Sequence, residues 1–205
     1  YKVWEANAEP YFTRILVSAD HVRLDEGKAA DGFVLLDRRR EIVYNVSRED
    51  ETVLVMDPQL EEVAQATPLV LDEKKSLDTQ APQIAGIAPY NVELLANGES
   101  CSHLVAVPGL MEGALQGLRE FKQVLARIEA ASLAARPEAL QTPCELAATV
   151  YAPTRSLAHG LPVHERSAGR QQMLQDFVEN YEAADDTFHL PAAYRRIALP
   201  ELPAI

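Results

Sequence analysis

Cys101 and His103 stand two residues apart in the stretch ANGESCSHLVAV, and Cys144 is the one other cysteine of the chain. Three chemistries are open to such a set: a thiolate nucleophile with an imidazole base, a metal site, or a disulfide. A nucleophile needs a base that reaches it from elsewhere in the fold and a third group that orients the base. Positions i and i+2 of a strand share a face without meeting in that way, and no cysteine-protease signature surrounds Cys101. A zinc site built on Cys101, His103 and Cys144 lacks a fourth ligand, and neither cysteine belongs to a CxxC pair. A Cys101–Cys144 disulfide has a mechanical rationale, because the two residues lie on either side of a long helical pattern. Closing a loop of about 44 residues stabilises the fold by roughly 4 kcal/mol through the unfolded state. The bridge needs cysteine α-carbons about 6 Å apart, so a bend or break of the helix near Gly117 or Pro137 is expected.

The remaining chemistry is sparse. His159 and His164 flank GLPV at a spacing too irregular for an HExxH site, and no GxSxG, P-loop, GxGxxG or EF-hand pattern occurs. Glu61-Glu62, Asp72-Glu73 and Asp185-Asp186 read as solvated faces, and the sequon at Asn45 lies within a strand pattern. No catalytic residue, metal or cofactor is expected. The 205 residues carry 31 acidic and 19 basic side chains, a net charge of −12, which disfavours nonspecific nucleic-acid binding. The basic run Arg38-Arg39-Arg40 reads as a solvated turn, with a phosphate or lipid-headgroup contact as its alternative. No run approaches the roughly 18 apolar residues of a membrane-spanning helix. The chain opens on Tyr1 without a visible signal peptide and has an even cysteine count; we read it as a trimmed, exported chain from an oxidising compartment.

The elements that would position these residues are a meander, a hairpin and helices. Apolar alternation through YFTRILVSADHVRLDE, Phe33–Leu36, Ile42–Val46 and Thr52–Met56, with polar turns between, predicts antiparallel neighbours. QLEEVAQA reads as a short helical link and PLVLDEKKSLDT as a strand pair or extended edge. Asn97-Gly98 predicts a type I′ hairpin between YNVELLA and the cysteine strand. Met111, Leu115, Leu118, Phe121, Leu125, Ile128 and Leu133 recur at helical spacing, predicting an amphipathic helix of about 25 residues. GRQQMLQDFVENYEAA predicts a shorter helix, and Tyr194–Leu199 a final strand. A sheet-first, helix-later order is the pattern of one α+β domain.

In this order of pieces the chain resembles exported bacterial proteins of the lipoprotein-carrier (LolA/LolB/RseB-like) superfamily. The similarity rests on ILVSADHVRLDEG, DGFVLLDRRREIVYNV and ETVLVMDP, then IAGIAPYNVELLANGESCSHLVAV, and finally HGLPVHERSAGR and FHLPAAYRRI. The resemblance implies a single domain over residues 1–205: a curved, unclosed antiparallel sheet, or half-barrel, with helices packed on its concave face. It implies a noncatalytic periplasmic domain that binds or carries a lipid or lipoprotein acyl chain. In that reading Trp4, Phe12, Met111, Leu115, Leu118, Phe121 and Leu125 line the ligand space. The alternative is a cell-envelope protein-interaction or sensor module, whose long helix and disulfide fill the core completely.

Overall fold

The apolar alternation does make strands, and long-range pairing decides which strands meet. A computed structural model describes residues 1–28, 32–58, 69–133 and 141–198. In chain order the elements are β1 (Lys2–Glu5), β2 (Tyr11–Phe12), β3 (Arg14–Val17), β4 (His21–Asp25), β5 (Phe33–Asp37), β6 (Ile42–Ser47) and β7 (Thr52–Met56). There follow β8 (Leu71–Leu77), β9 (Tyr90–Ala96), β10 (Glu99–Val107), α1 (Glu112–Ala131), α2 (Pro143–Leu146), β11 (Leu161–Ser167), β12 (Arg170–Met173) and β13 (Arg195–Ala198). The fold is α+β with open, mostly antiparallel sheets, and its strands divide between two of them where one was expected. One sheet has the order β2-β1-β12-β11-β10-β9-β8, the other β13-β7-β6-β5-β4-β3. Among the described strands, β13 alone pairs in parallel, with β7.

The six-stranded sheet is buried on both faces. Side chains alternate along each strand, so Val22, Leu36 and Val43 point to α1, where Phe121 and Val124 meet them. Phe33, Leu35, Tyr44 and Val46 point the other way and are covered by Phe188, Leu190 and Tyr194 of the segment leading into β13. At Gly117 the helix approaches its sheet most tightly: a Cβ there would lie 2.7 Å from Val17 Cγ1. The helix runs unbroken through Gly117 from Glu112 to Ala131, so the expected bend or break is not a break at that glycine. Pro137 and the expected link QLEEVAQA lie outside the described residues.

An adjoining side of α1 serves the seven-stranded sheet. Leu115 is buried with Val107, Leu157, Leu161 and Val163, and Met111 and Leu118 pack against them. The β9–β10 hairpin turns at Asn97 and Gly98, with φ of 50° and 82°, as the type I′ geometry requires. Cys101 is the extra residue of a β-bulge: Ser100 faces Leu95 and Ser102 faces Leu94, leaving Cys101 without a partner on β9. A bulge re-aims its side chain out of the alternating pattern, and here it aims at Cys144 at the start of α2. The two are disulfide-bonded with α-carbons 5.2 Å apart. Thr142 caps α2, its hydroxyl accepting the Glu145 N–H.

One expected element is replaced. GRQQMLQDFVENYEAA is not a helix. Its first part is β12, which forms a hairpin with β11 and pairs with β1 through Lys2–Met173 to Glu5–Arg170. The rest, residues 174–184, is irregular. Two different strands supply β12 with backbone partners on both edges, and that outweighs the modest helical preference of its Gln and Met residues.

On the face of the six-stranded sheet away from α1, a charged group is buried. Asp25 accepts from Arg14 Nε at 2.9 Å, Arg23 Nε at 2.7 Å and the Gly27 N–H at 2.8 Å. The Arg23 guanidinium lies 3.9 Å from the centroid of Phe33 and also donates to the Thr187 carbonyl, tying the C-terminal segment down. Burial alone would raise the Asp25 carboxyl, but the hydrogen bonds from Arg14, Arg23 and Gly27 outweigh it and hold the group low. Its contribution is therefore present above about pH 4 and lost as the pH falls through the depressed folded value.

Two outcomes are expected from denaturant unfolding. Cys101→Ser/Cys144→Ser loses about 4 kcal/mol, the loop-closure value, with β-sheet circular dichroism retained. Asp25→Asn leaves the buried Arg23 guanidinium with the Thr187 carbonyl and a weaker amide acceptor, and costs about 1.5–3 kcal/mol at neutral pH, a loss that shrinks towards pH 2.

Candidate functional site

The residues expected to line a ligand space are used in packing or lie far from α1. Met111, Leu115 and Leu118 belong to the cluster under the seven-stranded sheet. Phe121 and Leu125 belong to the cluster on the six-stranded sheet. Trp4, on β1, faces outward beside Lys2, whose ammonium stands 5.2 Å from its ring centroid. Phe12 is exposed on the edge strand β2. None of these seven residues lines the groove on the flank of α1, the depression at His103 or the small cavity beside the disulfide. Cys101 and His103 do not form a catalytic pair, because the sulfur is committed to Cys144. His103 instead has its Nε2 3.3 Å from Ser100 Oγ and lines a surface depression of about 680 Å³.

A large cavity lies on the flank of α1. It is a groove of about 1020 Å³ between the β5–β6 turn, the flank of α1 and the segment Val150–Pro153. Three elements build it. α1 contributes Val124, Ala126 and Ala130 to an apolar floor, with Leu36 from β5 beside them. The chain after α2 winds through Ala147–Tyr151 as a single π-helical turn, a geometry often found at functional positions. That turn brings Val150 and Tyr151 over the floor as the facing wall.

The rim is charged and cross-linked. Arg38 Nε and Nη2 donate to Glu120 at 2.6 Å and 3.0 Å, and its Nη1 donates to the Ser18 carbonyl at 2.6 Å. Arg127 Nη2 donates to Glu41 at 2.8 Å, so a second pair ties α1 to the same turn. Arg39 pairs with Asp20 at 2.6 Å and is 77% exposed. The expected solvated turn is thus solvated only in part: the Arg38 side chain is 17% exposed and clamped to α1. Its hydrogen bonds hold the Glu120 carboxyl below the usual range, with Gln116 adding a further donor. Since each guanidinium is already paired, an anionic group entering the groove would compete with a carboxylate or add to a shared network.

Sequence reasoning missed Glu120, Arg127, Val150 and Tyr151 as a set. Glu120 and Arg127 are seven residues apart, two helical turns on one face, which was legible. Their facing partners, Arg38 and Glu41, come from a turn some eighty residues earlier, which was not. His159, expected in a loop, lies against Glu73 with Nε2 2.9 Å from its carboxylate. Among the described residues no group of three or more His, Cys, Asp or Glu is placed to hold a metal ion, and no helix is long and apolar enough to cross a membrane. No protein-family model, curated protein or solved structure matches this chain.

The rim's pH behaviour follows from Glu120. A carboxylate held low stabilises the fold above its unfolded value near pH 4.3 and stops doing so as the pH falls through the folded value. Glu120→Gln is therefore expected to lower stability by about 1.5–3 kcal/mol at pH 7 and by much less at pH 3. Thermal unfolding of the two proteins at both pH values measures this.

Proposed function

We propose that the chain is a noncatalytic, extracytoplasmic binding domain for an amphiphile with an acyl chain, of the lipid or lipoprotein kind. The observation that carries the reading is the groove itself. An apolar floor of Leu36, Val124, Ala130 and Val150 lies beneath a rim bearing Arg38, Arg39 and Arg127. Its volume is of the size that ligand pockets of small molecules take. The acyl chain would lie along the floor, and an anionic head would meet the guanidinium groups at the rim. In this reading the two open sheets act as the halves of one curved shell around α1, as in the half-barrel of the lipoprotein carriers. The ligand then sits on the flank of α1, since the apolar stripe of the helix is taken up by the sheets. The disulfide is in keeping with an oxidising compartment such as the periplasm.

A second reading has its own observation. Phe177, Val178 and Tyr181 are 36%, 59% and 57% exposed in the irregular stretch after β12. A protein partner of the cell envelope would cover them, and the domain would then be an interaction or sensor module with a filled core.

Titration of delipidated protein with a fluorescent fatty acid separates the two. Saturable binding, weakened at least tenfold by Ala130→Trp and unaffected by Tyr181→Ser, is expected. Absence of saturable binding to the unaltered protein, or binding abolished by Tyr181→Ser alone, overturns the groove reading.

A further inference from the structure

A second and unrelated site is built where the apolar contact between α1 and the seven-stranded sheet ends. Lys122 follows Leu115 and Leu118 at helical spacing, so it continues the line that packs on β10 and β11. Glu165 lies two residues beyond Val163 on β11 and pairs with the buried Leu104 of β10. Both charges face a cavity of about 200 Å³ walled by the Cys101–Cys144 disulfide. The two groups form no ion pair with one another within 4 Å. Glu165 accepts from Gln172 Nε2 at 2.7 Å, whereas among the described residues the Lys122 ammonium has no hydrogen-bond or ion-pair partner. Ser156, in the same wall, is 8% exposed and its buried Oγ has no hydrogen-bond partner.

A desolvated ammonium and a buried hydroxyl without partners are costly, and they share one space. Desolvation lowers the Lys122 ammonium from its ordinary value, with Glu165 opposing the shift and Arg170 adding to it. The wall selects what could satisfy these groups. A plain anion would meet Glu165, and a plain cation would meet Lys122 and Arg155. Arg155 is itself spent on the carbonyls of Leu95 and Asp72. Only a ligand with both poles answers both ends. The volume is far above the roughly 10–15 Å³ that one water requires and below the roughly 300 Å³ of drug-sized pockets.

We propose that this cavity is a binding site for a small zwitterion of the amino-acid type. Its carboxylate is held by Lys122 and Ser156, and its ammonium by Glu165. The Cys101–Cys144 bridge forms part of the wall, because it holds α2 against β10 at the cavity's edge. The site is separate from the groove, and the two stand or fall independently.

Isothermal titration of the full chain with glycine, L-alanine and L-serine, alongside acetate and ethylamine, tests the proposal. At least one amino acid is expected to bind saturably, at least tenfold tighter than acetate or ethylamine. Lys122→Met and Glu165→Gln should each weaken that binding at least tenfold while keeping the far-ultraviolet circular dichroism. The ¹⁵Nζ resonance of Lys122, assigned through Lys122→Met, should shift on saturation of the unaltered protein. Heat with none of the amino acids, acetate binding as tightly as they do, or an unmoved Nζ resonance would overturn the assignment.

Discussion

The structure depends on the two-sided burial of α1. A surface helix needs one apolar stripe; this one presents two. Leu115 and Leu118 serve the seven-stranded sheet, and Phe121, Val124 and Leu125 serve the six-stranded one. Removing that apolar area from water is worth about 25 cal/mol per Å², and because both sheets draw on one helix, neither can settle without it. Gly117 lets the helix sit against β3 and β4. The disulfide fixes the chain on the far side of the helix to the bulge that precedes it. The six-stranded sheet then requires a second cover, which the Phe188–Tyr194 segment supplies and Arg23 fastens.

This economy also explains where open space is left. Side chains along the centre of both stripes are consumed in packing, so room remains at the margins. At one margin α1 faces the Arg38–Glu41 turn and the Val150–Pro153 segment, giving the large groove. At another the apolar line ends in Lys122 and Glu165, giving the small polar cavity. The π-helical turn at Ala147–Tyr151 serves both, since Ala147 and Ala148 line the small cavity while Val150 and Tyr151 line the groove.

How much of this was legible in the sequence follows the range of the interactions. Local signals held: the meander strands, the Asn97-Gly98 turn and the long helix all depend on neighbours in sequence. The Cys101–Cys144 bridge also held, for want of any other partner. What was not legible depends on distant partners. Nothing within RQQM says that Lys2–Glu5 will pair beside it, although Ala168-Gly169 between two short runs was a turn signal that could have split the expected helix. Nothing local divides one sheet into two, or brings β13 parallel to β7 across some 140 residues. The candidate site suffered in the same way. The apolar stripe identified which residues of α1 are buried, but only the second sheet reveals that they are filled on both sides. Likewise only the placement of β11 sets Glu165 opposite Lys122.

In the reading proposed above, ligand space lies at the margin of the apolar stripe of α1, where Val124 borders the groove, and not among Leu115 and Leu118. Intermolecular nuclear Overhauser effects between ¹³C-labelled palmitate and the methyl groups of the protein address it most directly. Contacts to the methyls of Ala130 and Val150 are expected, and none to Leu115 or Leu118. Contacts from palmitate to Leu115 and Leu118 would mean that the sheets open around the helix, and would contradict it.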